Sequence, residues 1–263
     1  MCNRYSLTKK QERIITREYG SLELYFMERF NIAPTQNASV ILIEDKKLAI
    51  REMQWGLAVR WTKAPLLNVQ LESIEKPALK ENFDSRRCLV PASSFYEWTD
   101  YHGRRQPIRF QFNDERLFCF AGLYSGGATE ENFTILTVPA NEFLRKVHNR
   151  MPFIVPKDDY DTWLDPKSDS FRRVAPSSEP LKSCWINPAI NNARNDDAES
   201  ARPLLATAKR SSHGPSLPNG LPAGATVKVL ASDGDSFEIE FEGKAFKLPW
   251  SAVTLEGAEE MLL

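Results

Sequence analysis

The chain has 263 residues, 42% of them hydrophobic and 11% aromatic, which is enough for one large domain with an appendage. The formal net charge is −1, and it is unevenly distributed: residues 1–210 carry +4 and residues 211–263 carry −5. An evenly spread charge of this size would argue against a nucleic-acid partner. Because the charge is uneven, we expect any nucleic-acid site to lie in the mildly basic residues 1–210.

Secretion, membrane insertion and a disulfide framework are not indicated. The first twenty residues contain no apolar segment typical of a signal peptide, and no apolar run is long enough to span a membrane. The four cysteines (Cys2, Cys88, Cys119 and Cys184) lie far apart and form no CxxC pair. This spacing predicts reduced thiols and no zinc site. We therefore expect a cytoplasmic protein with no membrane partner and no metal.

The predicted elements begin with a helix and continue mainly as strands. Thr8 and Gln11 have the spacing of a capping box, which predicts a helix over 8–19 that ends at Gly20. Further helices are predicted at 140–147 and 158–164. Runs rich in β-branched and aromatic residues predict strands at 38–45, 47–55, 87–98, 106–112, 116–125 and 132–140. The mixture predicts an α+β fold around a mainly antiparallel β-sheet with few helices.

A boundary is predicted at residues 211–224, which are dense in Gly, Pro, Ser and Asn. After it, short strands at 226–231, 236–242 and 244–250 are joined by tight turns, a pattern typical of a small SH3-like β-barrel. The predicted organisation is a main domain over 1–210, a linker over 211–224 and a small β subdomain over 225–263. The subdomain is too short for a large core of its own, so we expect it to pack on the main domain.

Cys2 is unusual because removal of Met1 would make it an N-terminal 1,2-aminothiol. The α-amine of such a group has a pKa of about 7.7–8.0, so part of it is neutral and nucleophilic near neutral pH. It attacks an aldehyde to give an imine, and the thiol then closes a five-membered thiazolidine. The competing interpretation is that a single cysteine near a terminus has no function.

Two further positions are candidates for proton transfer. Glu97 ends an otherwise apolar strand beside Phe95 and Trp98, and burial there would make it a proton shuttle; the alternative is a strand-end carboxylate that faces water. His148 and Arg150 stand two residues apart, where alternation would place a proton-exchanging imidazole and a phosphate-binding guanidinium on one side. The alternative is a structural histidine and a surface arginine.

Motifs for nucleotide and metal cofactors do not occur. The chain has no Walker loop, no GxGxxG after a strand and no HExxH, so no cofactor is predicted. No GxSxG elbow is present either. A Ser/His/Asp triad stays open, because such triads are defined by geometry rather than by spacing.

Several segments together resemble one family, the SOS-response-associated peptidase (SRAP) domain, whose members shield abasic sites in single-stranded DNA by covalent attachment. The matching segments are MCNRY at the start, FNIAPTQ at 30–36, WGLAVRW at 55–61, NVQLES at 68–73, RRCLVPASSFYEW at 86–98, AGLYS at 121–125, FTILTVPAN at 133–141 and VHNRMP at 147–152. The resemblance covers about 190 residues in the same order. It implies a barrel-like SRAP fold and a thiazolidine between Cys2 and the ring-opened abasic sugar.

The resemblance also implies roles for individual residues. Asn68 would orient the Cys2 amine or the sugar, and Glu97 and His148 would handle the protons of sugar opening and imine formation. The residues that would contact DNA, as phosphate ligands or as surfaces for stacking and wedging bases apart, are Arg4, Pro34, Trp61, Trp98 and Arg150.

The chain departs from the family pattern at three positions. Asn3 and Ser94 stand where glycine is usual, and Gln70 stands where relatives have an arginine. Loss of that arginine removes a charged phosphate contact, which Lys76 would replace.

Three functions follow from these observations. The first is a DNA-damage enzyme that crosslinks itself to abasic sites. The second is a cysteine peptidase with Cys2 as N-terminal nucleophile, acting on other chains or only on its own Met1. The third is a single-strand binder that acts without a covalent step and uses its C-terminal subdomain to dock a protein partner. We expect a monomer in each case.

Overall fold

The computed structural model describes residues 3–9, 11–101, 103–126, 131–167, 169–208, 217–218, 220–232 and 236–255. Cys2, the predicted nucleophile, lies outside the described residues, as does half of the predicted linker. The chain forms two compact units. The first comprises Met1–Glu97 and Gln111–Leu181, and the second comprises Trp98–Phe110 and Lys182–Leu263.

The fold is built from short strands with few helices, as predicted. The helices are α1 (Pro77–Ser85), α2 (Glu142–Arg145) and α3 (Tyr160–Leu164). The strands of the first unit are β1 (Tyr5–Leu7), β2 (Gln11–Ile15), β3 (Ser21–Tyr25), β4 (Arg29–Ile32), β5 (Asn37–Glu44), β6 (Lys47–Trp55), β7 (Asn68–Gln70), β8 (Arg87–Ala92), the start of β9 (Ser94–Tyr101), the end of β10 (Arg104–Phe112), β11 (Phe118–Ser125), β12 (Asn132–Pro139), β13 (Arg150–Pro152) and β14 (Ile154–Val155). Those of the second unit are the rest of β9 and β10 with β15 (Leu181–Trp185), β16 (Leu205–Ala208), β17 (Thr226–Ser232), β18 (Ser236–Phe241), β19 (Lys244–Pro249) and β20 (Val253–Leu255).

The core of the first unit is a ring of strands. β5 pairs antiparallel with β6 and β8, β8 with β11 and β11 with β12, and β12 closes the ring by pairing parallel with β6. Tyr5, Trp55, Phe120 and Phe133 are buried, and their rings meet at centroid distances of 5.3–6.4 Å. This closed arrangement confirms the barrel-like, mainly antiparallel fold class.

Gly122 permits the close approach of β11 to β8 and β12 within this ring. A Cβ atom at this position would lie 2.7 Å from Cys88 Sγ and 2.9 Å from Val90 Cγ2, so a side chain does not fit between the strands. The strand predictions at 47–55, 116–125 and 132–140 are confirmed as β6, β11 and β12.

The predicted helix over 8–19 is wrong, because this segment forms the β2–β3 hairpin. Ile14 and Thr16 are buried while Arg13 and Ile15 are exposed, which is the period of two that a strand requires. Gly20, with φ of +81°, serves the hairpin turn, where its carbonyl accepts a hydrogen bond from the Thr16 amide at 2.8 Å.

The other element predictions differ in detail. The helices expected at 140–147 and 158–164 are present as α2 and α3. The strand expected over 87–98 is two strands, β8 and β9, which separate at Ser93, where the amide donates to the Ser6 carbonyl at 2.7 Å. Helix α1 was not predicted; only Leu79 and Phe83 of its residues are buried.

The second unit contains an antiparallel sheet of five strands in the order β19-β18-β17-β16-β20. The three strands predicted after the linker are β17, β18 and β19. Tyr101, Trp185, Phe237 and Trp250 form an aromatic cluster with centroid distances of 5.1–5.9 Å. The unit therefore includes more of the chain than the predicted subdomain at 225–263. Among the described residues, no helix is long and apolar enough to cross a membrane.

Candidate functional site

Strand β1 directs the start of the chain along β9. Tyr5 pairs with Phe95 and Ser6 with Ser94, and the Tyr96 amide donates to the Arg4 carbonyl at 3.0 Å. In this antiparallel register, each step towards the N-terminus is a step towards Glu97 on β9. The side chain of Glu97 is buried, with 3% exposure, so the interpretation as a strand-end carboxylate that faces water is wrong.

Asn68 lies on β7, which runs parallel to β12 with Asn68 opposite Ile135. The indole N–H of Trp55 donates to the Leu67 carbonyl at 2.8 Å and fixes the start of this strand. The Asn68 Nδ2 group donates to Asn3 Oδ1 at 3.3 Å. The residue that follows Cys2 in the sequence is therefore in contact with the predicted amine-orienting asparagine.

His148 lies in the turn between α2 and β13, with its position fixed by the backbone. Its amide donates to the Leu144 carbonyl at 3.0 Å, and its Nδ1 accepts a hydrogen bond from the Arg150 amide at 3.0 Å. Nδ1 also lies 3.3 Å from the Arg150 carbonyl, and in the neutral tautomer with the proton on Nδ1 it donates there instead, which leaves Nε2 unprotonated and able to accept a proton. Burial lowers the pKa of His148 below its usual range, which favours this neutral form near neutral pH.

Arg150 makes a bidentate ion pair with Glu72. Its two terminal nitrogens donate to the Glu72 carboxylate oxygens at 2.8 and 2.9 Å, and one of them also donates to the Thr137 carbonyl. These hydrogen bonds lower the pKa of Glu72. Because Arg150 is on β13, Thr137 on β12 and Glu72 just after β7, the guanidinium ties three segments together. A phosphate at Arg150 would therefore compete with the Glu72 carboxylate, which already accepts one N–H from each terminal nitrogen.

Arg4 and Pro34 are half-buried near β4. Arg4 Nη1 donates to the Oδ1 atom of the buried Asn31 at 2.9 Å. Pro34 is part of the turn after β4, where Thr35 has a φ of +68° and its amide donates to the Trp55 carbonyl at 2.8 Å. Hydrogen bonds thus connect Arg4 to Asn31 and the turn that contains Pro34 to Trp55.

Gln70 and Lys76 are exposed. Gln70 is the last residue of β7, opposite Thr137, and Lys76 precedes the first turn of α1. Both side chains are accessible to a DNA backbone.

Trp61 is at the tip of a loop closed by two hydrogen bonds between Leu57 and Leu66, at 3.0 and 2.9 Å. Its side chain is 54% exposed, and Arg60 and Lys63 in the same loop are also exposed. An exposed indole between two cations matches what stacking of bases on single-stranded nucleic acid requires.

Trp98 belongs to the second unit and has two partners there. Its indole N–H donates to Asn191 Oδ1 at 2.6 Å, and the Arg105 guanidinium lies 5.0 Å from its ring centroid. This orientation was not predictable from the FYEW segment alone, since Asn191 lies 93 residues further along the chain.

Two of the departures from the family pattern have contacts of their own. Ser94 Oγ is within 2.6 Å of Ser6 Oγ in a buried pair between β9 and β1, and Asn3 contacts Asn68 as above. Sequence reasoning missed the roles of Glu72 and Asn3. The available signal was the position of Glu72 within NVQLES, four residues after Asn68. Among the described residues, no group of three or more potential metal ligands occurs.

Comparison with known proteins shows the family to which this chain belongs. The family model for the SOS response associated peptidase (SRAP) matches residues 1–196, and the chain belongs to this family, as the sequence resemblance indicated. Abasic site processing protein YoaM of Bacillus subtilis is 30% identical over 221 residues, which cover 76% of this chain and 96% of the relative. Abasic site processing protein HMCES of Xenopus tropicalis is 26% identical over 238 residues, which cover 73% of this chain and 70% of the relative.

Solved structures show the same fold. A protein from Bacteroides thetaiotaomicron superimposes with a TM-score of 0.55 at 22% identity and covers 64% of this chain and 82% of its own. A protein from Bordetella bronchiseptica superimposes with a TM-score of 0.56 at 19% identity and covers 71% of this chain and all of its own.

Proposed function

We propose that this protein binds single-stranded DNA and captures abasic sites through a thiazolidine at Cys2. Its relatives are named abasic site processing proteins, which supports DNA with abasic sites as the substrate. The observation that carries the proposal is the contact of Asn3 with Asn68, together with the β1–β9 register that leads to the buried Glu97. Both features direct the residue that follows Cys2 towards candidate catalytic side chains.

The proposed reaction needs no oxidant, reductant or cofactor. After removal of Met1, the Cys2 amine adds to the C1′ aldehyde of the ring-opened sugar and gives a carbinolamine, which loses water to form an imine. The thiol then adds across the C=N bond, with sulfur bonded to C1′ and a proton transferred to nitrogen. Aldehyde and aminothiol thus yield a thiazolidine and one water.

The proton transfers fall to His148 and Glu97. The neutral imidazole favoured by burial accepts a proton from the sugar hydroxyl or the Cys2 amine. Glu97 exchanges the protons needed to open the sugar and expel water from the carbinolamine, and Asn68 orients the amine.

DNA binding is assigned to half-buried and exposed side chains. Trp61 and Trp98 stack bases and Pro34 wedges them apart, while Arg4 and Lys76 contact phosphates and Gln70 gives an uncharged hydrogen bond. Arg150 is assigned instead to positioning, because its terminal nitrogens already bind Glu72.

A second candidate function is peptide cleavage by Cys2, which the name of the family favours. On this alternative the nucleophile acts on its own Met1 or on other chains. Mass spectrometry after mixing with abasic DNA separates the two, because only the first function gives an adduct of protein plus oligonucleotide. Cys2→Ser is the matched variant: it keeps the amine but closes the ring poorly, so we expect only a hydrolysable imine. An equally stable adduct from Cys2→Ser would refute the thiazolidine chemistry.

A further inference from the structure

The second unit contains a connected group of three residues, which we name the Trp98 frame: Trp98, Arg105 and Asn191. The Arg105 guanidinium lies over the Trp98 ring at 5.0 Å from its centroid. Asn191 joins the two residues, since its Oδ1 accepts from the Trp98 indole at 2.6 Å and its Nδ2 donates to the Arg105 carbonyl at 3.1 Å. The indole is therefore held in one orientation, with a cation on one face.

The charge of Arg105 is not neutralised within the described part of the chain. Its side chain is exposed, and none of the described carboxylates forms a salt bridge with it. Arg150 is the contrast: its side chain is 12% exposed and both terminal nitrogens are bound to Glu72. A guanidinium that lies over an indole ring keeps N–H groups at its rim, where they are available for bidentate binding of a phosphate.

We propose that Arg105 is a backbone-phosphate contact for single-stranded DNA, positioned by Trp98 and Asn191. The inference rests on the proposed function and extends its DNA surface to a residue of the β9–β10 hairpin. The partner is identified by chemistry: a ligand that offers both a flat base and an adjacent anionic phosphate matches a half-buried indole paired with an exposed guanidinium that has no carboxylate partner among the described residues. Arg105 thus provides a charged contact in a chain that has Gln70 at a usual arginine position.

The neighbouring Arg104 provides a matched control. It is exposed and carries the same charge on the same strand, but successive side chains of a strand point to opposite faces, and no contact joins it to Trp98 among the described residues. Arg105→Ala and Arg104→Ala thus change net charge equally and differ only in position. Thermal unfolding of both variants checks that each remains folded.

The test is equilibrium binding of an undamaged oligothymidylate strand at a series of salt concentrations. We expect Arg105→Ala to weaken binding roughly three- to tenfold and to reduce the salt slope by about 0.7, the value for one lost contact on a single strand. Arg104→Ala should change neither quantity. Arg105→Lys should retain the slope because it retains the charge.

Three results would overturn the inference. Equal behaviour of Arg105→Ala and Arg104→Ala, with normal binding and crosslinking by the unmodified protein, would reject Arg105 and leave the proposed function standing. If Arg105→Ala loses affinity while the salt slope of binding is unchanged, Arg105 supports the site by packing and does not contact a phosphate. An unmodified protein that binds no single strand would reject both proposals together.

Discussion

The residues proposed for chemistry and those proposed for DNA contact are held by the fold in different ways. Glu97 is 3% exposed and His148 Nδ1 accepts a backbone hydrogen bond, whereas Trp61 is 54% exposed at a loop tip. Proton transfer needs a fixed side chain, and burial supplies it and lowers the pKa of His148. Base stacking needs an open aromatic face. Substitutions in the two regions should therefore separate rate from affinity.

The largest effect is expected from the buried region. Glu97→Gln and His148→Ala should slow crosslinking roughly ten- to a thousandfold, because sugar opening and loss of water need a positioned acid or base. Affinity for undamaged single strands should change little. The measurement is the crosslinking rate at saturating abasic DNA beside equilibrium binding. A variant that loses binding but keeps its rate would identify a binding residue and reverse the assignment.

Trp61→Ala should show the opposite pattern. Loss of a stacking surface costs about 1–3 kcal/mol per base, which corresponds to a roughly 5- to 150-fold weaker affinity for single strands. The crosslinking rate at saturating DNA should stay within about twofold, because the loop carries no group for proton transfer. Trp61→Phe is the matched control and should retain most of the affinity. A reduced saturating rate in Trp61→Ala would mean that the loop also positions the sugar.

The ion pair between Glu72 and Arg150 tests whether positioning and binding are separate. Glu72→Gln removes the charge that holds Arg150, so we expect crosslinking at saturating DNA to slow roughly tenfold, through a less ordered Asn68, at unchanged affinity. Glu75→Gln, at a nearby exposed carboxylate paired with Lys80, should leave the rate intact. Tighter DNA binding by Glu72→Gln at an unchanged rate would show that Arg150 contacts phosphate when released.

The pH dependence sharpens the role of His148. Its pKa is lowered, so the neutral base persists to a lower pH than for an ordinary histidine and is lost only as the pH falls through this lowered value. The ratio of the unmodified rate to that of His148→Gln should therefore stay constant down to about pH 6.5, where an ordinary histidine is already half protonated, and should decline only at lower pH. Taking the ratio removes the titration of the Cys2 amine, which both proteins share. A ratio that rises towards acid pH would make His148 a general acid.

The smallest effect is expected at Gln70. Gln70→Arg adds one cation on an exposed strand end and should steepen the salt dependence of single-strand binding by about 0.7. Lys76→Gln provides the converse change and should make the dependence shallower by a similar amount. Identical slopes for Gln70→Arg and the unmodified protein would show that residue 70 does not touch the backbone.

The strands were predictable because β-branched and aromatic runs persist over β6, β11 and β12. The helix predicted at 8–19 failed because a local capping signal was outweighed by tertiary contacts: Asp161 of α3 accepts from the Arg17 and Glu18 amides, and Asp165 from the Tyr19 hydroxyl at 3.0 Å. Local propensity gives no access to such distant partners.

The candidate site also has one part that was predictable from the sequence and one part that was not. Asn68, Glu97 and His148 were found through short segments with a family resemblance, which a single sequence displays. The pairing of Glu72 with Arg150 and that of Trp98 with Asn191 join residues 78 and 93 positions apart. Only the fold brings such residues together, so the contact of Arg150 with Glu72, on which its proposed positioning role depends, could not be predicted from VHNRMP.

The most direct test of the account is the intact mass of the protein after incubation with a single-stranded oligonucleotide that carries one abasic site. The account predicts a species equal to the chain without Met1 plus the oligonucleotide minus one water, stable to denaturation and absent for Cys2→Ala. Free protein alone, or the same stable adduct from Cys2→Ala, would contradict covalent capture through Cys2.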